Sequence, residues 1–242
     1  MAKVVILGAA GSLGKHVAEQ ALIAGHDVTV IVRNAAKLPA AWREQVHVYE
    51  ADLAQLSTTQ LGSVLTGYDA LVNTAGVVSD GDMFVALIDH IVTSVEGIPP
   101  SLRPRAWFLA GAGLLDIADT GYQGLDLALL KKTYWPHAVN FKRLNNSSLD
   151  WCLLCPGPMV EGAAIGLDKL RVSLDRLPVQ MPAWGKWLPP AFLMPFFAYR
   201  VAEMIVPYAD AAALMVNNLV PNSPMVRHRV GLALPPGMRG KK

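Results

Sequence analysis

The sequence predicts an α/β fold: a doubly wound, mostly parallel sheet with a small C-terminal lobe. Three observations predict it. Short, continuous apolar runs such as Val4-Val5-Ile6-Leu7 recur along the chain, and strands buried on both faces read this way rather than as an alternating pattern. Stretches with helical spacing separate these runs, and strand–helix alternation implies right-handed crossovers between parallel neighbours. The 242 residues are 52% apolar and 17% charged, which is long and apolar enough for one domain with a sizeable core.

The first strand is Lys3–Leu7, and a helix-like run extends from Ser12 to Ala24. Gly8-Ala9-Ala10-Gly11-Ser12-Leu13-Gly14 lies between them. Its spacing is G-x-x-G-x-x-G, whereas the common dinucleotide fingerprint is G-x-G-x-x-G. Each glycine has a separate physical task. Gly8 permits the tight turn, Gly11 lets the backbone approach a pyrophosphate, and Gly14 allows close helix–strand packing. The phosphates then sit on free N–H groups at the positive end of the helix. A plain glycine-rich turn is the competing reading.

The second strand, Asp27–Val32, ends at Arg33-Asn34. An NAD-binding fold carries an acid at that end, bonded to the ribose 2′-hydroxyl. Arg33 stands there instead, and a guanidinium pairs bidentately with a 2′-phosphate that a carboxylate would repel. Asp27 starts the strand and lies at the wrong end, while Lys37 adds a second positive charge. The pattern favours NADP(H) over NAD(H), against the alternative of Arg33 as a solvated loop cation.

A short helical piece near residues 35–42 leads to a third strand, Val46–Glu50. Ser57-Thr58-Thr59-Gln60 has the form of a capping box, opening a helix that ends near Gly67. Asp69–Asn73 is the fourth strand, followed by Thr74-Ala75-Gly76. Phe84, Leu87, Ile88, Ile91 and Val95 recur at helical spacing within a helix from about Asp82 to Glu96. Ala106–Ala110 is the fifth strand, ending in Gly111-Ala112-Gly113. A helix over Lys132–Ser147, despite Pro136, precedes the sixth strand, Asp150–Cys155, and Pro156-Gly157-Pro158. The tail from Pro235 to Lys242 is expected to fray. Cys152 and Cys155 form a C-x-x-C, but inside a strand a separation of three sends the side chains to opposite faces. They read as buried structural cysteines in a reducing, cytoplasmic setting.

The net charge of +2 gives no footprint for nucleic acid. The most lipid-like stretch, Leu188 to Val220, is interrupted by Pro195, Arg200, Glu203, Pro207 and Asp210, so no membrane span is expected. The first residues run straight into the first strand, so no secretory signal is expected. A monomer or homodimer is expected.

In order and spacing, these residues resemble an atypical short-chain dehydrogenase/reductase of the NAD(P)H-binding kind, a group that includes NmrA-like proteins and flavin- and quinone-reductase-like enzymes. The resemblance runs through Gly8–Gly14, Arg33, Asp52-Leu53, Asn73–Gly76, Ala110–Gly113, Ser148–Trp151, Pro156-Gly157 and Tyr208–Ala212. It implies a Rossmann sheet, with residues 1–158 as dinucleotide-binding core. Residues 159–242 would form a substrate lobe together with returning strand and helix elements of the same domain. It further implies that Asp52 and Leu53 flank the adenine, although Asp52 also reads as a helix-initiating carboxylate. Asn73, Thr74, Ala75 and Gly76 would pack on ribose and diphosphate, with Ala110, Gly111 and Ala112 among the cofactor contacts. Pro156, Gly157 and Pro158 would sit beside the nicotinamide.

The catalytic pattern departs from that family. Its Tyr-x-x-x-Lys acid–base pair is absent, because Ala138 follows Tyr134 at the lysine spacing, and no hydroxyl follows the fifth strand. The family lysine falls near His137, so His137 and Tyr134 are the catalytic candidates, with a surface or cap histidine as the alternative. Hydride transfer to a flavin or quinone needs mainly alignment, whereas reduction of a carbonyl needs a proton delivered in place. The segment from Met159 to about Arg200 holds Met181, Trp184, Trp187, Leu188, Phe192, Met194, Phe196, Phe197 and Tyr199. Such a group suits a flat apolar acceptor, or else a lobe packed on the sheet or a dimer surface. Two functions lead, an NADPH-dependent oxidoreductase and a non-catalytic dinucleotide-binding redox sensor that binds a protein partner; a third, a sugar-nucleotide epimerase, requires the absent tyrosine–lysine pair.

Overall fold

The computed structural model describes residues 1–42, 44–117, 120–181, 187–219 and 223–241. Lys3–Leu7 (β1), Asp27–Val32 (β2), His47–Glu50 (β3), Ala70–Asn73 (β4), Arg105–Leu109 (β5) and Trp151–Leu154 (β8) are parallel strands. Two short strands, Asp116–Ile117 (β6) and Tyr122–Gln123 (β7), form a separate hairpin, and Met159–Val160 (β9) pairs with Val206–Pro207 (β11). Arg171–Leu174 (β10) and Arg229–Ala233 (β12) return to the main sheet. The eight-stranded order is β10-β12-β8-β5-β4-β1-β2-β3, and β10 alone in it runs antiparallel.

The period of two along each strand divides the core. Val5 and Leu7 face the layer formed by Thr58–Leu65 (α2), Gly81–Glu96 (α3), Ala128–Asn145 (α4) and Pro190–Val201 (α5). Val4 and Ile6 face Ser12–Ile23 (α1) and Tyr208–Asn217 (α6). Cys155 lies in the first cluster and Cys152 in the second, so the two thiols do sit on opposite faces. Burial pushes both upward in pKa, Cys152 to about 12, which leaves them protonated and inert.

Local chemistry starts the elements where the sequence places it. Ser57 Oγ accepts from Gln60 N–H while Gln60 Oε1 accepts from Ser57 N–H, completing the capping box of α2. Helix α4 begins at residue 128, four residues ahead of the expected start, and runs through Pro136. The tail corrects another expectation. Gly240 N–H donates to Ala202 O at 2.7 Å, and Arg239 Nη2 donates to Tyr199 O at 2.8 Å, so it is docked rather than frayed. Among the described residues, no helix is long and apolar enough to cross a membrane.

Candidate functional site

From β1 the sheet extends through β2 and β3 on one side and through β4 on the other. Doubly wound sheets bind ligands beyond the strand C-termini at such a reversal. A cleft of about 1010 Å³ opens there. Its walls come from Gly8, Ala10 and Gly11 after β1, Arg33, Asn34 and Lys37 after β2, Asp52 and Leu53 after β3, and Thr74, Ala75 and Gly76 after β4.

The β1–α1 turn is fitted at the level of the backbone. Gly8 has φ +82°, and a Cβ there would lie 2.7 Å from Ala75 N. A Cβ on Gly14 would lie 2.2 Å from Gly8 O and 2.7 Å from Thr74 Oγ1. Gly11 differs: a Cβ would meet only Gly8 O, at 3.2 Å. The protein itself therefore scarcely requires glycine at position 11, while a molecule lying over the turn would. The helical ladder starts with Lys15 N–H on Gly11 O at 3.1 Å, so the N–H groups of Ser12, Leu13 and Gly14 precede it, with no acidic side chain in the first turn. Leu13 itself packs into the core. A glycine cradle closed to side chains below an uncapped helix start fits a pyrophosphate.

At the other end of the cleft, Arg33 and Lys37 are exposed cations. The neighbouring Glu50 carboxylate accepts from Ala35 N–H at 2.9 Å, and Asn34 Oδ1 accepts from Ala36 N–H at 2.8 Å. Asp52 Oδ1 accepts from Ala54 N–H at 3.1 Å.

Several expected contacts fall elsewhere. Asn73, 1% exposed, bonds to Ala75 N–H and O, so it shapes the Thr74–Gly76 turn instead of lining the cleft. Ala110, Gly111 and Ala112, like Pro156, Gly157 and Pro158, stand off the cleft wall. The two segments are joined where Ala112 N–H donates to Pro156 O at 2.8 Å, and a Cβ on Gly157 would lie 2.6 Å from Met204 O. They occupy the same C-terminal rim, at the ends of β5 and β8.

The catalytic candidates do meet. His137 is 8% exposed, edge-on to Phe84 at 5.6 Å and stacked with Tyr134 at 6.0 Å between centroids. A Cβ on Gly111 would lie 3.5 Å from His137 Nε2, so the imidazole occupies the room that the missing side chain leaves after β5. Phe84 in turn covers Gly76, where a Cβ would lie 2.3 Å from the ring. Thus Gly76, Phe84, His137 and Gly111 link the cleft to the end of β5. Burial lowers the His137 pKa to about 4, and its Nδ1 has no hydrogen-bond partner among the described residues. The ring is neutral near pH 7, able to share a hydrogen bond but not to serve as a charged proton store.

Residues 8–176, from the first glycine of the turn to just past β10, match the family described as NAD(P)H-binding. The chain belongs to that family. A nicotinamide cofactor goes with that membership. The uncharacterized protein YwnB of Bacillus subtilis (strain 168) is 28% identical over 167 residues, spanning 66% of this chain and 74% of its own. Two solved structures share the fold. One, from Streptococcus pneumoniae TIGR4, is described as a candidate NADH-flavin reductase. It is 21% identical with a TM-score of 0.70, covering 97% of this chain and 100% of its own. The anaerobillin reductase ChuY of Escherichia coli O157:H7 is 17% identical with a TM-score of 0.65, covering 99% and 100%.

The apolar segment before and within α5 does not form the expected cover over the cleft. Leu193 and Phe197 pack into the core, with Met181, Leu188 and Met194 against it. Trp187, Phe192 and Tyr199 are exposed, and none of these residues lines the cleft. Trp184 lies outside the described residues. Several cleft residues, Asp80 and Met83 among them, were missed from the sequence; so was His90, whose Nε2 is buried without a partner among the described residues. Its signal was the helical stripe, in which position 90 follows Leu87 by three.

Proposed function

We propose that the chain is an NADPH-dependent oxidoreductase that exchanges hydride with a flat, apolar acceptor such as a flavin or quinone. Arg33 carries the cofactor half of this reading. It lines the cleft beside Lys37, while the carboxylate at the end of the adjoining strand, Glu50, is engaged with Ala35 N–H. A 2′-phosphate would meet the two cations Arg33 and Lys37 there. The Gly8–Gly14 cradle and the start of α1 would hold the diphosphate, with Asp52 and Leu53 at the adenine and Thr74–Gly76 along the ribose.

When bound, the nicotinamide supplies the hydride chemistry. The residues at the family's acid–base positions hold no charged proton: His137 is held neutral by burial and position 138 is Ala. An acceptor whose oxygens take protons from water suits this arrangement, whereas a carbonyl that needs protonation in place does not. The relatives described as an NADH-flavin reductase and an anaerobillin reductase support the same class. A cytoplasmic monomer or homodimer is part of this reading.

The missing Tyr-x-x-x-Lys also supports a second reading, a redox sensor that binds dinucleotide and a protein partner without turnover. NADPH oxidation with free flavins, quinones and redox dyes separates the two. The oxidoreductase reading expects saturable, acceptor-dependent oxidation, faster with NADPH than with NADH. Tight NADPH binding with no oxidation by any acceptor would leave the sensor.

A further inference from the structure

A second concavity, of about 510 Å³, opens beside β10 and shares no residue with the dinucleotide cleft. Arg171 at the start of β10, Arg200 late in α5 and Arg239 in the C-terminal tail line it, together with Glu203 and Tyr199. Three guanidiniums thus face one carboxylate.

That carboxylate is already committed. Glu203 is 5% exposed; its Oε2 accepts from Arg171 Nη2 at 2.7 Å and its Oε1 from Arg200 Nη1 at 2.5 Å. Arg171 Nε donates to Leu234 O at 2.7 Å. These bonds fasten α5 and the following turn to the edge of the sheet, and they account for two of the arginines as structure. They do not account for Arg239. Its guanidinium lies 4.0 Å over the Tyr199 ring and donates to Tyr199 O, with no carboxylate partner among the described residues. A guanidinium carries more N–H donors than these bonds consume. Surplus positive charge, unused planar donors and open volume coincide at one place.

We propose that this pocket is a second ligand site that binds an oxyanion, the phosphate or carboxylate group of a small molecule. Forked N–H donors match such groups in shape as well as charge. The ring under Arg239 holds that guanidinium through cation–π contact and limits the freedom lost on binding. The site also adjoins the machinery of the rim. Leu234 N–H donates to Glu203 O at 2.7 Å, and the next residue, Met204, closes on Gly157 at the end of β8. An anion seated here therefore bears on the turn that touches Gly157. The proposal stands whether or not the chain transfers hydride.

The test is calorimetric titration of the full chain with inorganic phosphate and, separately, with succinate, at low ionic strength because salt screens exposed charges. At least one probe is expected to bind saturably, and which one does identifies the ligand group. Arg239→Ala should weaken that binding about tenfold or more, the worth of a charge-assisted hydrogen bond. Arg33→Ala, which removes a cation from the dinucleotide cleft, should leave it unchanged. If Arg239→Ala melts early, Arg239→Lys gives the same reading, since it keeps the charge, loses the fork and should bind with an intermediate affinity. Failure of both probes to saturate overturns the proposal. So does binding whose affinity is unchanged in the Arg239 variants, whether or not Arg33→Ala weakens it, since such an anion sits on the glycine cradle or elsewhere.

Discussion

The turn between β1 and α1 and the middle of α4 face the same C-terminal rim, yet they are assembled from different materials. At the turn, backbone meets backbone: hypothetical side chains on Gly8 and Gly14 would stand 2.7 Å and 2.2 Å from neighbouring main-chain atoms. At α4, side chains meet: His137 fills space beside Gly111, under Phe84 and Tyr134, and leaves a buried nitrogen unpaired. A site built from backbone tolerates almost no added atoms but titrates nothing. One built from buried side chains accepts substitution more readily and carries a pH dependence.

The largest expected effects break the turn. Gly14→Val drives a branched side chain into Gly8 O and Thr74, and no flexible group is there to yield. The variant should lose its cooperative thermal transition or melt far below the parent, beyond the ~1–3 kcal/mol typical of overpacking. Gly11→Val has open space on the cleft side, so it should fold and melt near the parent while NADPH titration shows no binding. A normal melt for Gly14→Val, or unchanged NADPH affinity for a folded Gly11→Val, would show that the glycines are not the cradle assigned above.

The next effect separates the two regions by pH. His137 has a pKa of about 4 in the folded chain against an ordinary value near 6.5 when unfolded. On acidification the unfolded chain takes up this proton first, so His137's contribution is fully present above about pH 6.5 and is lost as pH falls through 4. The full swing is about 3 kcal/mol. Urea unfolding at pH 7 and near pH 4 measures it, with His137→Phe as the control because carboxylates titrate in the same range. The variant should lose less stability than the parent over that interval. Equal losses would mean that His137 accepts its proton in place.

How much could be read from residues alone follows from the same contrast. The cradle, the capping box of Ser57 and Gln60, and the opposed cysteines were legible because their causes are local: turn sterics, an N-terminal cap, a period of two. Asn73 was misplaced because its bonds to Ala75 depend on how the chain turns after β4. His137 could be located in sequence, but its burial depends on Phe84 from α3 and on Gly111 from the end of β5. The docked tail and the outward-facing Trp187, Phe192 and Tyr199 were hidden for the same reason. Apolar composition states that a segment packs, not which face it presents.

A smaller effect sharpens cofactor choice at the cleft's open end. Arg33→Ala removes a guanidinium that would pair with the 2′-phosphate, a bond of about 1.5–3 kcal/mol. NADPH affinity should fall roughly tenfold or more, with NADH affinity nearly unchanged. Equal losses for both cofactors would reduce Arg33 to a general contact on the adenine side.

The smallest effect is expected where the sequence first suggests chemistry. Tyr134 is 37% exposed and reaches the cluster by stacking on His137. The imidazole below it is neutral near pH 7. If the acceptor draws its protons from water, Tyr134→Phe and His137→Gln should each retain kcat within a few-fold, with any loss falling mainly on cofactor affinity. A general acid in either position would instead cost about 10²–10⁴-fold in rate with binding intact. Steady-state kinetics with the best acceptor from the panel, at saturating NADPH, decides between them. A large loss of kcat in one variant, at parental NADPH affinity, would make that residue a proton donor. The acceptor would then be a carbonyl whose oxygen must be protonated in the site, because a flavin or quinone in contact with water gains little from such a group.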